Sequence, residues 1–162
     1  KLAGAHLIVA IDQNPARLKD AEAFGATHTI NAGETEVVAK IRDLTSGRGV
    51  DYAFEAVGIK TTIEQAYDSL AKRGVATVVG IPPLGMEITI PATSLVYEER
   101  VLTGSLYGSA APKSDIPKLI DLYVGGLLKL DELLTKSYPI EKINEAFDDL
   151  KSGTNLRSII TF

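Results

Sequence analysis

Asp12 is an acidic residue that stands where a ligand site is expected. It follows an apolar run at residues 7–11 and precedes Asn14-Pro15, a pair typical of the start of a helix. In a parallel sheet covered by helices, ligands bind at the carboxyl ends of the strands. A carboxylate there can accept hydrogen bonds from both ribose hydroxyls of an adenosine, each worth roughly 1.5–3 kcal/mol, and it repels a 2′-phosphate. Asp12 alone does not distinguish this binding role from simple capping of the next helix.

A phosphate-binding loop is the usual companion of such a carboxylate, and the sequence contains none. The motif G-x-G-x-x-G lies between a strand and a helix, where backbone amides and the helix N-terminus hold a pyrophosphate. The one G-x-G segment here is Gly47-Arg48-Gly49. Tyr52 takes the place of the third glycine, and a strand follows instead of a helix. These glycines therefore predict a turn.

The composition excludes several other kinds of chemistry. The 162 residues include no cysteine and only two histidines, His6 and His28, which rules out disulfides, thiol nucleophiles and cysteine-ligated zinc and leaves too few histidines for a metal cluster. With 17 Lys and Arg against 21 Asp and Glu, the formal charge of −4 argues against a broad nucleic-acid surface. No apolar run approaches the roughly 18 residues of a membrane helix. The first residues lack the features of a signal peptide, so we expect a cytoplasmic protein.

Short apolar runs rich in β-branched residues predict the strands. They are nearly continuous rather than alternating, as in strands that are buried on both faces. The runs are residues 7–11, 27–30, 52–57, 75–81, 88–90, 101–106 and 158–162. Pro91 follows the run at 88–90 and marks it as the edge of a sheet. Glu55 is an acidic residue inside one of these apolar runs, and the pattern assigns it no role.

Segments with helical spacing lie among these runs. Their apolar residues recur mostly at intervals of three and four, which places each set on one face of a helix. The sets are Val37, Val38, Ile41 and Leu44; Ile63, Ala66, Tyr67 and Leu70; Ile116, Leu119, Ile120 and Tyr123; and Ile143, Ala146, Phe147 and Leu150. Gly25, Gly74 and Gly153 stand where helices are expected to end. The alternation predicts an α/β protein with a mostly parallel sheet and helices on both faces, in one domain over residues 1–162.

A series of sequence blocks resembles one known family, the medium-chain zinc-type alcohol dehydrogenases. The blocks are AID at residues 10–12, FGAT at 24–27, GVDYAFEAVG at 49–58, VVGIPP at 78–83, LTGS at 102–105 and INEAF at 143–147. The last block continues to Lys151-Ser152-Gly153 and to Leu156-Arg157-Ser158. Together they extend over almost the whole chain in the family's order, which makes the resemblance specific.

The resemblance implies most of a nicotinamide-cofactor domain with a Rossmann-like, doubly wound sheet. The first five residues resemble the end of the helix that follows the family's glycine-rich loop. We therefore expect the chain to lack the first strand, the phosphate loop and the catalytic domain with its zinc ligands. In the strand order 3-2-1-4-5-6 the missing strand is a central one. The sheet is then expected to close up, to borrow a strand from a partner, or to be completed by an upstream segment.

The resemblance also implies NAD as the cofactor and assigns roles toward its adenosine and phosphate groups. Asp12 matches the acidic residue on the adenosine ribose, and Arg17 matches a basic residue that reaches the same ribose. Arg157 matches an arginine that pairs with the pyrophosphate, whose oxygens suit the fork of a guanidinium. Without the resemblance, Arg17 and Arg157 would be interpreted as solvated surface charges.

Residues that follow three of the predicted strands match the surroundings of the nicotinamide. They are Val57 and Gly58 at the strand end beside the cofactor; Val79, Gly80 and Ile81 in the stretch that passes the nicotinamide; and Ser105, Leu106 and Tyr107 at a second backbone contact to the carboxamide. On composition alone, the same residues would be sheet core, turn glycines or surface aromatics. No catalytic residue and no metal ligand of the family matches a position in this chain.

These expectations lead to one main functional hypothesis and two alternatives. The chain is expected to be the NAD(H)-binding portion of a zinc-dependent alcohol dehydrogenase, which transfers hydride between an alcohol or carbonyl and NAD. The first alternative is a catalytically inactive, dimerising Rossmann-like module or fragment with weak or no nucleotide binding. The second is a zinc-free, NADPH-using reductase of the same superfamily, against which Asp12 argues. The resemblance also implies a homodimer through the edge strand between Met86 and Pro91, and the alternative is a solvent-facing edge shielded by Glu87, Glu98 and Glu99.

Overall fold

The computed structural model describes residues 1–153 and 155–162, and in that part of the chain strands alternate with helices. The strands are β1 (Val9–Asp12), β2 (His28–Asn31), β3 (Val50–Glu55), β4 (Leu70–Val78), β5 (Val101–Gly104), β6 (Leu134–Pro139) and β7 (Arg157–Thr161). The α-helices are α1 (Pro15–Ala23), α2 (Val37–Leu44), α3 (Lys60–Asp68), α4 (Ala92–Tyr97), α5 (Pro112–Val124) and α6 (Ile143–Ser152). Short 3-10 turns occupy Tyr107–Ser109, Asp131–Leu133 and Ile140–Lys142.

All strand pairs are parallel, which confirms the predicted α/β class. β1 pairs with β2, β4 lies between β3 and β5, and β6 pairs with β7. A helix lies between the successive strands of each group, as parallel pairing requires. The registers align the strand ends, because Asp12 is opposite Asn31 and Glu55 is opposite Val78, which is in turn opposite Gly104. Within each group, the carboxyl ends therefore lie side by side.

The sheet is interrupted between β1 and β3. Within the described chain β1 is hydrogen-bonded only to β2 and β3 only to β4, so each strand has one free edge. Tyr52 and Phe54 of β3 are 68% and 74% exposed, so these large side chains are also uncovered. The expectation that the sheet closes up is wrong, since the order leaves open the place of the first strand in a doubly wound sheet. A partner's strand and an upstream segment remain the two predictions for that place.

Two small apolar cores hold helices against the strands. In the first, Ile30 of β2 packs with Val37 and Ile41 of α2. In the second, Tyr67 of α3 packs with Leu70 of β4. These side chains are buried, and each fully buried side chain of this size contributes roughly 1.5–3 kcal/mol by leaving water. The predicted apolar stripes of α2 and α3 therefore face the sheet.

Arg42 ties the end of α2 to the beginning of β3 and β4. Its guanidinium donates hydrogen bonds to four carbonyl oxygens, those of Gly47 (3.2 Å), Arg48 (2.8 Å), Asp68 (2.8 Å) and Leu70 (3.1 Å). The glycine-rich segment at residues 47–49 is a turn, as predicted, and Gly47 has a φ of +83°. The amino end of this sheet is thus fixed by one side chain.

The predicted edge strand at residues 88–90 is wrong. These residues pair with no strand in the described part of the chain. The Thr89 amide instead donates a hydrogen bond of 2.7 Å to Oε1 of Glu64, on α3. An apolar run becomes a strand only where a neighbouring strand offers its backbone groups, and within this chain none lies beside the run.

The predicted helix end at Gly74 is also wrong, because Gly74 lies inside β4. α3 ends at Asp68, and Leu70, from the predicted helical stripe, begins the strand. The register shows the reason: Val50 is opposite Leu70 whereas Tyr52 is opposite Val75, so residues 71–74 form an irregularity in β4. The sequence patterns predict neither α4, which is too short for a clear helical spacing, nor β6, in which Thr135, Lys136 and Ser137 interrupt the apolar residues. By contrast, Gly153 ends α6 in the left-handed conformation, as predicted, with a φ of +69°.

Helix α5 forms where the sequence predicts it, but its apolar stripe is not packed against the sheet. Ile116, Leu119 and Ile120 are 52%, 47% and 53% exposed. The stripe is correct as a helical pattern, and the expectation that it covers a sheet fails within the described chain. Among the described residues, no helix has both the length and the apolarity that crossing a membrane requires.

Candidate functional site

Asp12 is the last residue of β1, and its two carboxylate oxygens have different surroundings. Oδ1 accepts a hydrogen bond of 2.8 Å from the Asn14 amide, and Oδ2 lies 3.8 Å from Nη1 of Arg17. The Asp12 side chain is 34% exposed and that of Arg17 is 48% exposed. Asn14 itself caps α1, since its side chain accepts a hydrogen bond from the Ala16 amide. Asp12 therefore organises the turn without being the cap, and Oδ2 remains accessible to an external donor.

The end of β3 is built around the buried carboxylate of Glu55, whose residue is only 4% exposed. Its Oε1 accepts hydrogen bonds from the Val57 amide (2.7 Å), the Gly58 amide (2.8 Å) and the Thr62 hydroxyl (2.7 Å). Its Oε2 is buried and has no hydrogen-bond partner in the described chain. One side chain thus shapes the whole turn from β3 to α3.

The same residue also joins this turn to the end of β4. The main-chain carbonyl of Glu55 accepts hydrogen bonds from the Val79 amide (2.7 Å) and the Gly80 amide (3.0 Å). A Cβ atom on Gly80 would lie 2.2 Å from the Gly58 nitrogen, and one on Gly58 would lie 2.6 Å from the Ile81 carbonyl oxygen. Gly58 also has a φ of +83°, which side chains disfavour. The two loops therefore touch backbone to backbone, and glycine at 58 and 80 is what permits the contact.

The residues after β5 continue the same edge of the sheet. The Ser105 amide donates a hydrogen bond of 2.9 Å to the Val78 carbonyl, and the Ser109 hydroxyl donates one of 3.2 Å to the Ser105 hydroxyl. Leu106 and Tyr107 are largely exposed, and Tyr107 has a φ of +49°. Exposed apolar groups on a rigid sheet edge can cover a flat ligand.

Arg157 is the predicted site residue that the structure does not join to the others. It is the first residue of β7, opposite Leu134 in the separate pair of β6 and β7, and it is exposed. In residues 1–153 and 155–162, no hydrogen bond or ion pair links its guanidinium to Asp12 or to the loops after β3 and β4. The other predicted residues follow β1, β3, β4 and β5 directly, or lie one turn into α1 in the case of Arg17.

Sequence reasoning missed the role of Glu55. The signal was present, because a carboxylate in an apolar run must find partners when it is buried. The pattern of residues did not show which groups it bonds, since two of its three side-chain partners are backbone amides. Predicting them requires the path of the turn at residues 56–58, which the sequence pattern does not supply.

A cavity of about 550 Å³ lies at the opposite, amino-terminal end of β3 and β4. It is lined by Arg42, Gly47, Arg48, Ala71, Lys72, Glu98 and Arg100. Its arginines are already engaged: Arg42 with carbonyls, Arg48 with Asp51, and Arg100 with Glu98 at 2.6 Å. The hydrogen bond from Arg48 lowers the pKa of Asp51 and raises that of Arg48 itself. Because these guanidinium groups are already bonded within the chain, they are less suited to bind a ligand. The carboxyl ends of the strands are therefore the stronger candidate site.

No cluster of three or more His, Asp or Glu side chains is placed to hold a metal ion in the part of the chain that the structure describes. The donor set at the strand ends is different in kind. It consists of one accessible carboxylate oxygen beside the Arg17 guanidinium, the Ser105 hydroxyl, backbone groups and apolar side chains. Such a set suits a polar organic ligand with hydroxyl donors and a flat apolar part better than a cation.

The family model and two relatives that match this chain all belong to the dehydrogenases. The model of the family described as "Zinc-binding dehydrogenase" matches residues 1–125. An alcohol dehydrogenase class-3 from Cereibacter sphaeroides is 35% identical over 170 residues, which cover 100% of this chain and 45% of that protein. An alcohol dehydrogenase class-3 from Dictyostelium discoideum is 37% identical and is matched over 42% of its length. The chain thus spans less than half the length of these relatives.

A solved structure shares the fold closely. The alcohol dehydrogenase zinc-binding domain protein from Burkholderia ambifaria superposes with a TM-score of 0.94 at 40% identity, over 99% of this chain and 43% of that one. The Rossmann-like arrangement expected from the sequence is therefore confirmed. By its sequence and its structure, this chain belongs to the zinc-binding dehydrogenase family.

Proposed function

We propose that the chain is the NAD(H)-binding part of a zinc-dependent alcohol dehydrogenase that transfers hydride between an alcohol or carbonyl and NAD. The observation that carries the proposal is the placement of ten of the eleven predicted residues at or just beyond the carboxyl ends of β1, β3, β4 and β5. Ligands of doubly wound sheets bind at these ends. Family membership supports the reaction class, and the whole reaction needs parts of the protein that this chain does not contain.

Asp12 and Arg17 are proposed to bind the adenosine end of the cofactor. Oδ2 of Asp12 accepts from the ribose hydroxyls, while the bond from the Asn14 amide to Oδ1 fixes the carboxylate. Arg17, 3.8 Å from that carboxylate, limits the negative charge at the site and reaches the same ribose. A 2′-phosphate would meet the Asp12 carboxylate directly. NADH is therefore expected to bind better than NADPH.

The loops after β3, β4 and β5 are proposed to bind the nicotinamide end. Val57, Val79 and Ile81 are 65%, 41% and 79% exposed and offer apolar surface to the ring. The backbone carbonyl of Gly80 and the backbone amides in the segment of Ser105, Leu106 and Tyr107 are proposed to bind the carboxamide, apart from the Ser105 amide, which already donates to the Val78 carbonyl. When bound, the cofactor accepts or donates the hydride, and the protein contributes its orientation. Zinc ligands are not among the proposed residues, and Arg157 is proposed to reach the pyrophosphate from β7.

A homodimer through the segment between Met86 and Pro91 is proposed as the assembly. No hydrogen bond within the described chain engages the backbone amides of Ile88 and Ile90, and the side chain of Ile90 packs against the second core. A second copy of the segment would supply the missing strand partner. A cytoplasmic location and a single partial domain over residues 1–162 also remain proposals.

The alternative, an inactive module with weak or no nucleotide binding, is favoured by one observation. Within the described chain β1 and β3 each keep a free edge, and the sequence contains no G-x-G-x-x-G motif for a phosphate loop. Backbone amides of such a loop supply much of the grip on a pyrophosphate. Without an added strand, the half-site at β1 and the half-site at β3 to β5 would bind separately and weakly.

A titration of the 162-residue chain with NADH and, in parallel, with NADPH tests the proposal. Nicotinamide fluorescence reports binding directly. The proposal expects saturable binding of NADH with at least a tenfold preference over NADPH, from the loss of a charge-assisted hydrogen bond and added repulsion. A preference for NADPH would favour the zinc-free reductase alternative. No binding of either would favour the inactive module.

A further inference from the structure

The buried carboxylate of Glu55 is unusual because folding alone gains little from it. Taking a carboxylate out of water costs several kcal/mol before its partners compensate, and a buried ionic group is weak evidence for stability. Oε1 is fully engaged with three donors, while Oε2 has none in the described chain. The partners that Glu55 does bond are the amides of Val57 and Gly58, which stand in the proposed nicotinamide site.

The contacts of Glu55 reach two loops through two different groups. Its carboxylate holds the turn after β3, and its main-chain carbonyl holds the Val79 and Gly80 amides after β4. The approach of Gly80 to Gly58 then leaves no room for one loop to shift without the other. Backbone hydrogen bonds alone would join the loops, but they would not fix the direction in which the peptides at residues 56–58 face.

We propose that Glu55 is a positioning residue, whose bonds to the amides of Val57 and Gly58 and to the Thr62 hydroxyl set the backbone that contacts the nicotinamide half of the cofactor. This inference rests on the proposed function. Glu55 touches the loops and not the ligand. Hydrogen bonds to a charged acceptor are roughly twice as strong as neutral ones, so the carboxylate holds the turn more tightly than an amide of the same shape.

Glu55→Gln is the direct test, because it preserves the shape and removes the charge. In the 162-residue chain, the variant is expected to weaken NADH binding about tenfold and to leave the affinity for AMP within twofold of the parent. AMP carries the adenosine and one phosphate but no nicotinamide, so it reports the β1 half of the site alone. A purely structural role would change both affinities together or neither.

Two further variants keep the test decisive. Thr62→Val removes one of the three donors and is expected to give a smaller loss of NADH affinity in the same direction. Glu64→Gln is the matched control, since Glu64 is also an acid that bonds a backbone amide, that of Thr89, away from these loops. It is expected to leave NADH and AMP binding unchanged.

Amide hydrogen exchange supplies a readout that does not depend on the cofactor. The Val57 and Gly58 amides are expected to exchange slowly in the parent and at least tenfold faster in Glu55→Gln, while amides in the core of β2 keep their rates. An equal loss of NADH and AMP affinity, or an unchanged NADH affinity, overturns the positioning role. If the parent chain binds no NADH, the proposed function fails and this role fails with it. Unchanged exchange in Glu55→Gln would instead refute the loop-holding contact itself.

Discussion

Two acidic residues end two strands of the proposed site, β1 and β3, and they use their carboxylates in opposite ways. Asp12, at the end of β1, keeps Oδ2 exposed and only loosely paired, at 3.8 Å from Arg17. Glu55, at the end of β3, is buried and engages Oε1 with three donors of its own chain. The first carboxylate can bind a ligand directly, whereas the second can act only through the backbone it holds. The two carboxylates therefore suit different tasks in the proposed site: Asp12 suits recognition of the ligand, and Glu55 suits positioning of the backbone.

The turn after β1 and the loops after β3 and β4 also differ in how tightly they pack. The turn after β1 leads into α1, in which Leu18 is buried, while the side chains of Asp12 before the turn and Arg17 on the helix are partly exposed. The loops after β3 and β4 meet through glycine backbones with no space for a side chain. A change at the β1 end should therefore alter affinity with little effect on folding. A change at the β3 and β4 ends should alter folding first.

The largest effect is expected at Gly58. Gly58→Ala would place a Cβ atom 2.6 Å from the Ile81 carbonyl oxygen and would also strain the φ of +83°. We expect a loss of about 3 kcal/mol in the free energy of unfolding, combining roughly 1 kcal/mol for the conformation with about 2 kcal/mol for the clash. Urea unfolding followed by circular dichroism measures it.

Gly85→Ala is the matched control for that substitution. Gly85 has nearly the same φ, +81°, but a Cβ atom there would meet no atom within 4 Å. Its cost is expected to be about 1 kcal/mol, the conformational part alone. Equal losses for Gly58→Ala and Gly85→Ala would contradict the close contact between the loops and would remove the main difference between the two halves of the site.

The next effect is on cofactor choice at the β1 end. Asp12→Ala is expected to weaken NADH binding at least tenfold and to leave NADPH binding equal or better, because one acceptor and one repulsive charge disappear together. Parallel fluorescence titrations give the ratio of the two affinities. Glu22→Ala changes an exposed acid on α1, the helix that follows Asp12, and is the control that should leave the ratio unchanged. An unaltered ratio in Asp12→Ala would exclude Asp12 from the site.

A smaller effect on stability is expected in the core beneath the β3 and β4 loops. The Tyr67 hydroxyl and the Ser94 hydroxyl are 2.7 Å apart and link α3 to α4. Tyr67→Phe removes this hydrogen bond and is expected to lower the free energy of unfolding by about 1 kcal/mol. Ser94→Ala should lower it by a similar amount, and the double variant by less than the sum. Fully additive losses would show that the two hydroxyls act independently.

The fold was predictable where the chain's own residues decide the structure. Apolar runs rich in β-branched residues predicted β1, β2, β5 and β7 within a few residues, since such side chains favour strands. The burial on both faces that the runs also predicted is wrong for β5 and β7 within the described chain, because their residues are exposed or only half-buried. The strand predicted at residues 88–90 is wrong for the opposite reason. A strand needs a partner strand, and the described chain provides none beside this run. The prediction that the apolar face of α5 packs against the sheet is wrong for a similar reason. A helical period shows which face is apolar, but it does not show what covers that face.

The location of the candidate residues at the strand ends was predictable, except for Arg157, whereas the contacts that hold them were not. Residues just after the strands could be placed because parallel strands align their carboxyl ends. The role of Glu55 could not, because its partners are amides whose direction depends on the turn. The contact between Gly58 and Gly80 could not either, since it joins residues of two separate loops whose approach follows from the register of β3 with β4. The sequence indicates that a site exists there, and the backbone determines how its parts are held.

The smallest effect concerns a charge cluster outside both halves, where exposure should make the contribution weak and dependent on pH. Hydrogen bonds from Lys136 and Tyr138 lower the pKa of the Asp149 carboxyl on α6. A carboxyl with a lowered pKa in the folded state stabilises the protein above its unfolded pKa of about 3.9, and this contribution is lost as the pH falls through the folded pKa.

Asp149→Asn is therefore expected to reduce stability slightly at pH 7 and to flatten the dependence of stability on pH below about 4. Thermal unfolding of the parent and the variant between about pH 2.5 and pH 7 measures the difference, because this range extends roughly 1.5 pH units below the unfolded pKa.

Asp148→Asn is the control, because Asp148 is the adjacent exposed acid and lies 3.9 Å from Lys151. Identical profiles for the two variants would show that the contacts of Asp149 contribute no more than an ordinary surface charge. A steeper acid loss in the parent and in Asp148→Asn than in Asp149→Asn would show that an exposed cluster can contribute measurably when a buried tyrosine, Tyr138, orients it. The different behaviour of the Asp12 and Glu55 carboxylates would then depend on their hydrogen-bond partners as much as on their burial.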